Sequence, residues 1–206
     1  MELAQQLADG RRALDIACSP DIDAKLLLYL RLLQKWNRVY NLTAVHDLRE
    51  MVTRHLLDSL AITSYMVGRV VDVGTGAGLP GIPLALVLPQ LRFVLVDSNA
   101  KKTRFVVQAV TELGLDNVDV VCERAEEFKP LQAFDTLVVR AFAPIADALA
   151  VSSHLCANHG RILIMKGKNP EQELASVPAH YKVMNVHAVR VPGLNAKRHL
   201  VVITRQ

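Results

Sequence analysis

Val70-Val71-Asp72-Val73-Gly74-Thr75-Gly76-Ala77-Gly78-Leu79-Pro80-Gly81-Ile82-Pro83-Leu84-Ala85-Leu86-Val87-Leu88 is the stretch that decides the fold of this chain. Its first four residues form a short, β-branched apolar run, which reads as a buried strand. Three glycines at alternate positions end that run. The apolar residues from Leu79 to Leu88 then read as a helix, with Pro80 and Pro83 where a first turn tolerates them. Strand, glycine turn and helix in that order open a βαβ unit.

The pattern repeats downstream. Arg92–Asp97 reads as a second strand, followed by a helix from Asn99 to Leu113 that Gly114 closes as its C-cap. Val118–Cys122 and Phe134–Arg140 read as strands on either side of a short Arg124–Phe128 segment, and a helix near Ile145–Leu155 leads to a strand at Arg161–Lys166. This alternation from 70 to 166 predicts an α/β fold, a mostly parallel sheet with helices on both faces. Tyr181–Val191 and His199–Thr204 read as two further strands joined through Pro192-Gly193, an antiparallel pair that completes seven. Upstream, 2–17, 22–39 and 47–63 carry apolar residues at helical spacing, with Asp21 expected to cap the second helix. The expectation is a single domain, 1–206, with residues 1–66 a helical extension and 67–206 an α/β core.

The 206 residues carry a formal charge of +4, are 51% hydrophobic and 21% charged, and include three cysteines. Those figures suit one sizeable domain and exclude a disordered chain, a coiled coil or a collagen-like fibre. Three cysteines with no C-x-x-C pair and no neighbouring histidine cluster argue against a disulfide scaffold and a zinc site, so no metal is expected. The first residues, Met1-Glu2-Leu3-Ala4-Gln5-Gln6, are polar and acidic, and no apolar run approaches the ~18 residues of a membrane span. A soluble, cytoplasmic protein is expected.

The charge is unevenly placed. From Lys166 to Gln206 seven basic side chains face only Glu171 and Glu173, a surplus of five that exceeds the +4 of the whole chain. A basic C-terminal segment on a near-neutral body fits a polyanion-binding face. A solvated surface that lacks acids gives the same sum.

In an open α/β sheet ligands bind at the carboxyl ends of the strands, so the first strand-to-helix turn is the place to look. Gly74, Gly76 and Gly78 let backbone approach a ligand closely, and the helix after them offers free N–H groups. Asp97 lies 19 residues past Gly78 at the end of the second strand, where an acid accepts the hydroxyls of an adenosine ribose. Asp97 as a plain N-cap for the helix near Asn99 is the competing reading. A dinucleotide needs G-x-G-x-x-G, whereas this loop is G-x-G-x-G with Leu79 where the third glycine of that pattern falls. Asp72 adds a carboxylate at the strand end, useful beside an ammonium group and awkward beside a pyrophosphate. S-adenosylmethionine, with a ribose, an adenine, an amino acid and no phosphate, fits better than NAD.

With these residues in view the chain resembles a class I methyltransferase of Rossmann-like fold. It resembles more narrowly the ribosomal RNA small subunit methyltransferase G family (RsmG, glucose-inhibited division protein B). The likeness runs through Val71–Ala85, Trp36-Asn37 with Asn41-Leu42-Thr43, Arg54-His55 with Asp58-Ser59, Asp97-Ser98 with Lys101-Lys102, Arg124-Ala125-Glu126, Arg140-Ala141 with Ala143-Pro144, and Lys166-Gly167. It implies methyl transfer from S-adenosylmethionine to N7 of one guanosine in a decoding-region loop of 16S rRNA, with naked rRNA or the 30S subunit as partner and no obligate protein partner. It also implies that Gly74 and Leu79 line the methionine end of the cofactor and that Asp97 holds the ribose. Ala125 and Glu126 would meet the adenine, and Arg140 would sit between cofactor and target base.

N7 of guanine has a free lone pair and no proton, so methylation there needs no general base, and orientation alone is worth roughly 7–11 kcal/mol. The fourth strand ends Arg140-Ala141-Phe142-Ala143-Pro144, without the Asp/Asn-Pro-Pro-Tyr that amino-group methylation uses. Arg140 can donate to guanine O6 or neutralise the cofactor carboxylate. Phe142 is a candidate to stack on the base, or a core aromatic. No other residue is assigned to catalysis.

Lys101, Lys102 and Arg104 fall in the first turns of a helix, where the dipole disfavours cations, which makes them RNA candidates beside Lys166, Lys197 and Arg198. Arg54 and Asp58, four apart, read as a surface ion pair, His55 as a packed histidine, and Asn41 and Thr43 as braces. Two other functions stay open at this point. One is a nicotinamide-dependent oxidoreductase, the other an RNA-binding assembly protein with a vestigial cofactor pocket.

Overall fold

The structure, a computed structural model, describes residues 2–140 and 143–205. Helix α1 spans Glu2–Arg12 and α2 spans Pro20–Tyr40. The first is shorter than the apolar spacing predicts. Asp15 adopts φ 55°, and the Arg11 guanidinium reaches across to Asp23 at 2.9 Å, turning the chain into α2. Ser19, with Pro20 at the first helical position, is the N-cap of α2; Asp21 lies inside the first turn, where its charge suits the dipole. Leu26, Tyr29, Leu30, Leu33 and Asn37 form the buried stripe of α2.

The predicted helix over 47–63 is not continuous. Asp47 accepts from the amides of Arg49 and Glu50 to start α3 (Leu48–Met51), a π-helical turn runs from Val52 to Leu57, and α4 takes up Asp58–Leu60. A π turn is wider than an α turn, so side chains four apart no longer stack.

Strands β1 (Arg69–Val73), β2 (Arg92–Val96), β3 (Val118–Val121), β4 (Phe134–Arg140), β5 (Cys156–Lys166), β6 (Tyr181–Ala188) and β7 (His199–Arg205) form one sheet in the order β3-β2-β1-β4-β5-β7-β6. The first five in that order pair in parallel, while β7 runs antiparallel to both β5 and β6. β5 begins at Cys156, five residues before its predicted start. The Phe134–Cys156 pairing, across an irregularity, draws the residues before Arg161 into the strand. The helices are α5 (Gly81–Val87), α6 (Ala100–Leu113), α7 (Ile145–Ser152) and α8 (Glu171–Leu174).

Alternation along the strands builds two cores. Val70, Phe93, Leu95, Val138, Leu163 and Leu200 pack on one face with α2, α5, α6 and the 48–60 segment. Val71, Val73, Val94, Val96, Val139, Ile164 and Val201 pack on the other with α7. The N-terminal helices therefore share a core with the sheet. Trp36 lies 5.7 Å and Tyr29 lies 6.3 Å from the Phe105 ring of α6, centroid to centroid. The buried Tyr29 hydroxyl donates to the Ala77 carbonyl at 2.7 Å, tying α2 to the glycine loop.

Candidate active site

The order of strands reverses between β1 and β4, and both main cavities of the site open at the carboxyl ends of strands on either side of that point. Gly74, Gly76 and Gly78 all have positive φ, between 60° and 87°. The Gly74 and Thr75 amides bond the Val96 carbonyl, and those of Gly78 and Leu79 bond that of Thr75, so the loop folds tightly on itself. A Cβ on Gly76 would meet nothing nearer than the Gly74 carbonyl at 3.9 Å, which leaves the outer side of the loop open to a ligand.

Asp72 does not face a ligand. Its position on β1 turns it, with Val70, toward α5, where it is fully buried. One oxygen accepts from the Thr75 hydroxyl at 2.6 Å and the Gly81 amide at 2.9 Å; the other meets no partner among the described residues. Burial raises its pKa from 3.8 to about 6, against the pull of those two hydrogen bonds. The start of α5, expected to offer its amides outward, is thus spent on an internal carboxylate. Gly81 is required here, because a Cβ would sit 2.1 Å from Leu95 Cδ2 and 2.8 Å from Asp72 Oδ2.

The first cavity, about 470 Å³, is lined by Gly74, Asp97, Lys102, Glu123, Ala125 and Glu126 among others. Asp97 Oδ2 accepts from the Gly76 amide at 2.9 Å and Oδ1 from the Asn99 amide at 2.8 Å, so this acid clasps the loop to the end of β2. Asn99 is the N-cap of α6, accepting from the amides of Lys101 and Lys102; Gly114 is its C-cap at φ 61°. These residues fit S-adenosylmethionine. An acid with an open glycine turn beside it suits a ligand rich in hydroxyls, and the α5 amide that a pyrophosphate would need is occupied by Asp72.

Of the expected cofactor residues, Gly74, Asp97, Ala125 and Glu126 line this cavity, and Gly76 is bonded to Asp97. Gly78 and Leu79 are not on its wall; Leu79 is packed into the core beneath the loop. Lys102, expected on an RNA track, lines the first cavity instead, while Lys101 and Arg104 are exposed.

Arg140 lies in a second cavity of about 330 Å³ with Arg54, His55, Asp58, Lys166 and Arg198. The expected Arg54–Asp58 surface pair does not form. The π turn separates them, Arg54 leans toward Glu50, and Asp58 is buried. Its Oδ2 accepts from Arg140 Nη1 at 3.2 Å and its Oδ1 from Arg198 Nε at 2.7 Å. His55 is 6% exposed; its Nε2 lies 2.9 Å from the Thr43 hydroxyl, and its Nδ1 meets no partner among the described residues. Burial, reinforced by the Arg140 charge, lowers its pKa from 6.5 to about 4. Thr43 also bonds Asn37 through its backbone, and Asn41 closes α2 at φ 49°, so both act as the expected braces.

The basic C-terminal segment is partly neutralised. Lys166 pairs with Glu173 at 2.7 Å and Arg205 donates to the Ser153 carbonyl, whereas Lys197 is exposed. Ala141 and Phe142 lie outside the described residues. The three cysteines are free. No helix among the described residues is long and apolar enough to cross a membrane.

The strand order, the glycine turn after β1 and the acid ending β2 define a class I S-adenosylmethionine-dependent methyltransferase. A glycopeptide N-methyltransferase, MtfA, solved in complex with S-adenosylmethionine, shares the fold at a TM-score of 0.62 over 74% of this chain and 95% of that one, with 11% identity. The chain belongs to the family described as rRNA small subunit methyltransferase G, whose model matches residues 22–201. The ribosomal RNA small subunit methyltransferase G of Nitrosococcus oceani is 54% identical over 85% of this chain and 83% of its own length. That of Nitrosospira multiformis is 48% identical over 100% of this chain and 99% of its own.

Proposed function

We propose that this enzyme methylates N7 of a guanosine in the decoding-region loop of 16S rRNA, as naked RNA or in the 30S subunit, in the cytoplasm. The observation that carries this reading is the chemistry of the second cavity. Arg54, Arg140, Lys166 and Arg198 line it as cations, around the carboxylate of Asp58 and the imidazole of His55. Asp58 has an oxygen turned to each of two guanidinium groups, and His55 is too weak a base, with its pKa near 4. Such a wall suits a nucleophile that brings its own lone pair and has no proton to lose. Guanine N7 is such a nucleophile.

Bound in the first cavity, S-adenosylmethionine supplies an electrophilic methyl on a sulfonium sulfur. Gly74 would line its methionine end, Asp97 the ribose, and Ala125 with Glu126 the adenine. Lys102 adds a cation beside Asp97. The work of the protein is alignment: the cationic wall holds the base while the glycine loop and Asp97 hold the methyl donor. Lys101, Arg104 and Lys197 are the exposed cations offered to RNA phosphates. We read the chain as one domain, because residues of 1–66 share a core with 67–206.

Incubation with labelled S-adenosylmethionine and naked rRNA, 30S particles or tRNA, followed by mapping of the modified base, tests the reading. Label at N7 of a single 16S guanosine is expected. Label only in tRNA, or at a pyrimidine, would overturn it.

A further inference from the structure

Asp58 joins two arginines from distant parts of the chain, Arg140 being 82 and Arg198 140 residues away. One carboxylate held by two guanidinium groups leaves a net positive charge at the cavity wall. Arg140 is anchored twice through the same nitrogen, Nη1, to Asp58 and to the Arg54 carbonyl at 3.3 Å. Arg198 is anchored by Nε to Asp58 and by Nη1 to the Lys197 carbonyl at 3.1 Å. Among the described residues no acceptor meets Arg140 Nε or Nη2, or Arg198 Nη2.

An unrestrained arginine grips the Hoogsteen edge of guanine with both arms, one on O6 and one on N7. That grip would occupy the lone pair that N7 must use. Arg198, bonded through both Nε and Nη1, has lost both forks of its guanidinium and keeps Nη2 as a single free donor for a carbonyl oxygen, whereas Arg140, bonded through Nη1 alone, keeps its Nε and Nη2 pair.

We propose that Asp58 is a positioning residue that ties back Arg198 so that its one free arm holds the O6 carbonyl of the target guanine and leaves N7 free. This rests on the guanosine-N7 reading above. The π turn ending at Leu57 is part of the device, because it runs directly into Asp58 and its Arg54 carbonyl holds the same Arg140 nitrogen.

The test pairs a change in the base with a change in the protein. A 16S rRNA is ligated from two transcripts and a synthetic segment carrying either guanine or 2-aminopurine at the methylated position. The analogue keeps N7 and lacks O6. Single-turnover methylation is measured for the wild type, Asp58→Asn and Arg198→Gln, with cofactor affinity and melting temperature recorded for each. The wild type is expected to lose about 10- to 100-fold with 2-aminopurine, the range for a hydrogen bond to a charged group. Both variants should methylate guanine about 10- to 100-fold more slowly, bind cofactor normally and lose less than about 3-fold on the switch to 2-aminopurine.

Equal losses in wild type and variants, or a wild type indifferent to the analogue, would overturn the proposal. Should Asp58→Asn fail to fold, Arg198→Gln decides, since the Arg198 side chain is more exposed than that of Asp58. A wild type whose methyl maps to an atom other than guanosine N7 refutes the underlying reading, and is told apart by the mapping alone.

Discussion

The two cavities at the carboxyl edge of the sheet differ both in charge and in how the chain assembles them. The first draws most of its wall from residues 73–126, the consecutive ends of β1 and β2 and the segment after β3, and it gathers Asp97, Glu123 and Glu126. The second collects residues from 45–58, the end of β4, the end of β5 and the start of β7, and it gathers arginines around one buried acid. A site built from neighbouring strand ends can be carried by a short motif. A site built from four remote segments depends on packing, and its charges are set by partners far away in sequence.

The sharpest break between the two is expected from Arg140→Gln. Loss of a fixed cation at the reacting centre should slow single-turnover methyl transfer by about 100- to 1000-fold, while cofactor affinity by calorimetry stays within a few-fold. An equal loss of cofactor affinity would move Arg140 into the first cavity and erase the distinction.

His55 gives a pH signature that belongs to the second cavity alone. Its folded pKa, about 4, lies below the ordinary 6.5. Below pH 6.5 the unfolded chain takes up a proton that the folded chain refuses. Stability due to His55 is therefore complete above 6.5 and is lost as pH falls toward 4, by up to about 3 kcal/mol. Asp72 works with the opposite sign, since a pKa raised from 3.8 to about 6 stabilises the fold below 3.8 and loses that contribution as pH rises through 6. The difference between wild-type and His55→Asn urea-unfolding curves across pH 4–7 isolates the histidine. A constant difference would mean that His55 titrates normally.

Asp97→Asn should act on the first cavity. It is expected to weaken S-adenosylmethionine binding by about 10- to 100-fold, with methyl transfer at saturating cofactor within a few-fold of wild type. A smaller effect is expected outside both cavities. Replacing Lys101 and Arg104 with Gln should lower the slope of log RNA affinity against log salt by roughly 0.7 for each phosphate no longer neutralised, and leave the cofactor untouched. Lys102→Gln should do the reverse, because that lysine lines the first cavity.

The first cavity is readable from residue types and spacing. Three glycines after a β-branched run and an acid at the end of the next strand are local consequences of backbone freedom and hydrogen-bond chemistry; Gly74 and Asp97 line the wall, joined by Ala125 and Glu126, which only the family resemblance pointed to. Gly81 is legible in principle, since glycine opening a helix asks for a reason, and that reason is the Leu95 side chain 2.1 Å from a would-be Cβ. The direction of Asp72 escapes a sequence reading because it depends on which face of the sheet α5 covers. Arg54 and Asp58 read wrongly as partners because helical spacing assumes 3.6 residues per turn, and nothing in Val52–Leu57 announces a π turn.

The alternation of strands and helices in the core and the glycine loop follow from sequence alone, because periodicity and turn chemistry act over a few residues; the same spacing favours S-adenosylmethionine over NAD, and the family resemblance names it. The charge map does not follow from sequence. Five surplus positive charges in the last 41 residues suggest an RNA-facing surface, yet folding sends Lys166 to Glu173 and Arg198 to Asp58. Only the tertiary structure decides which cations remain free, because an ion pair forms through space and its partner's position in the chain is irrelevant to its strength.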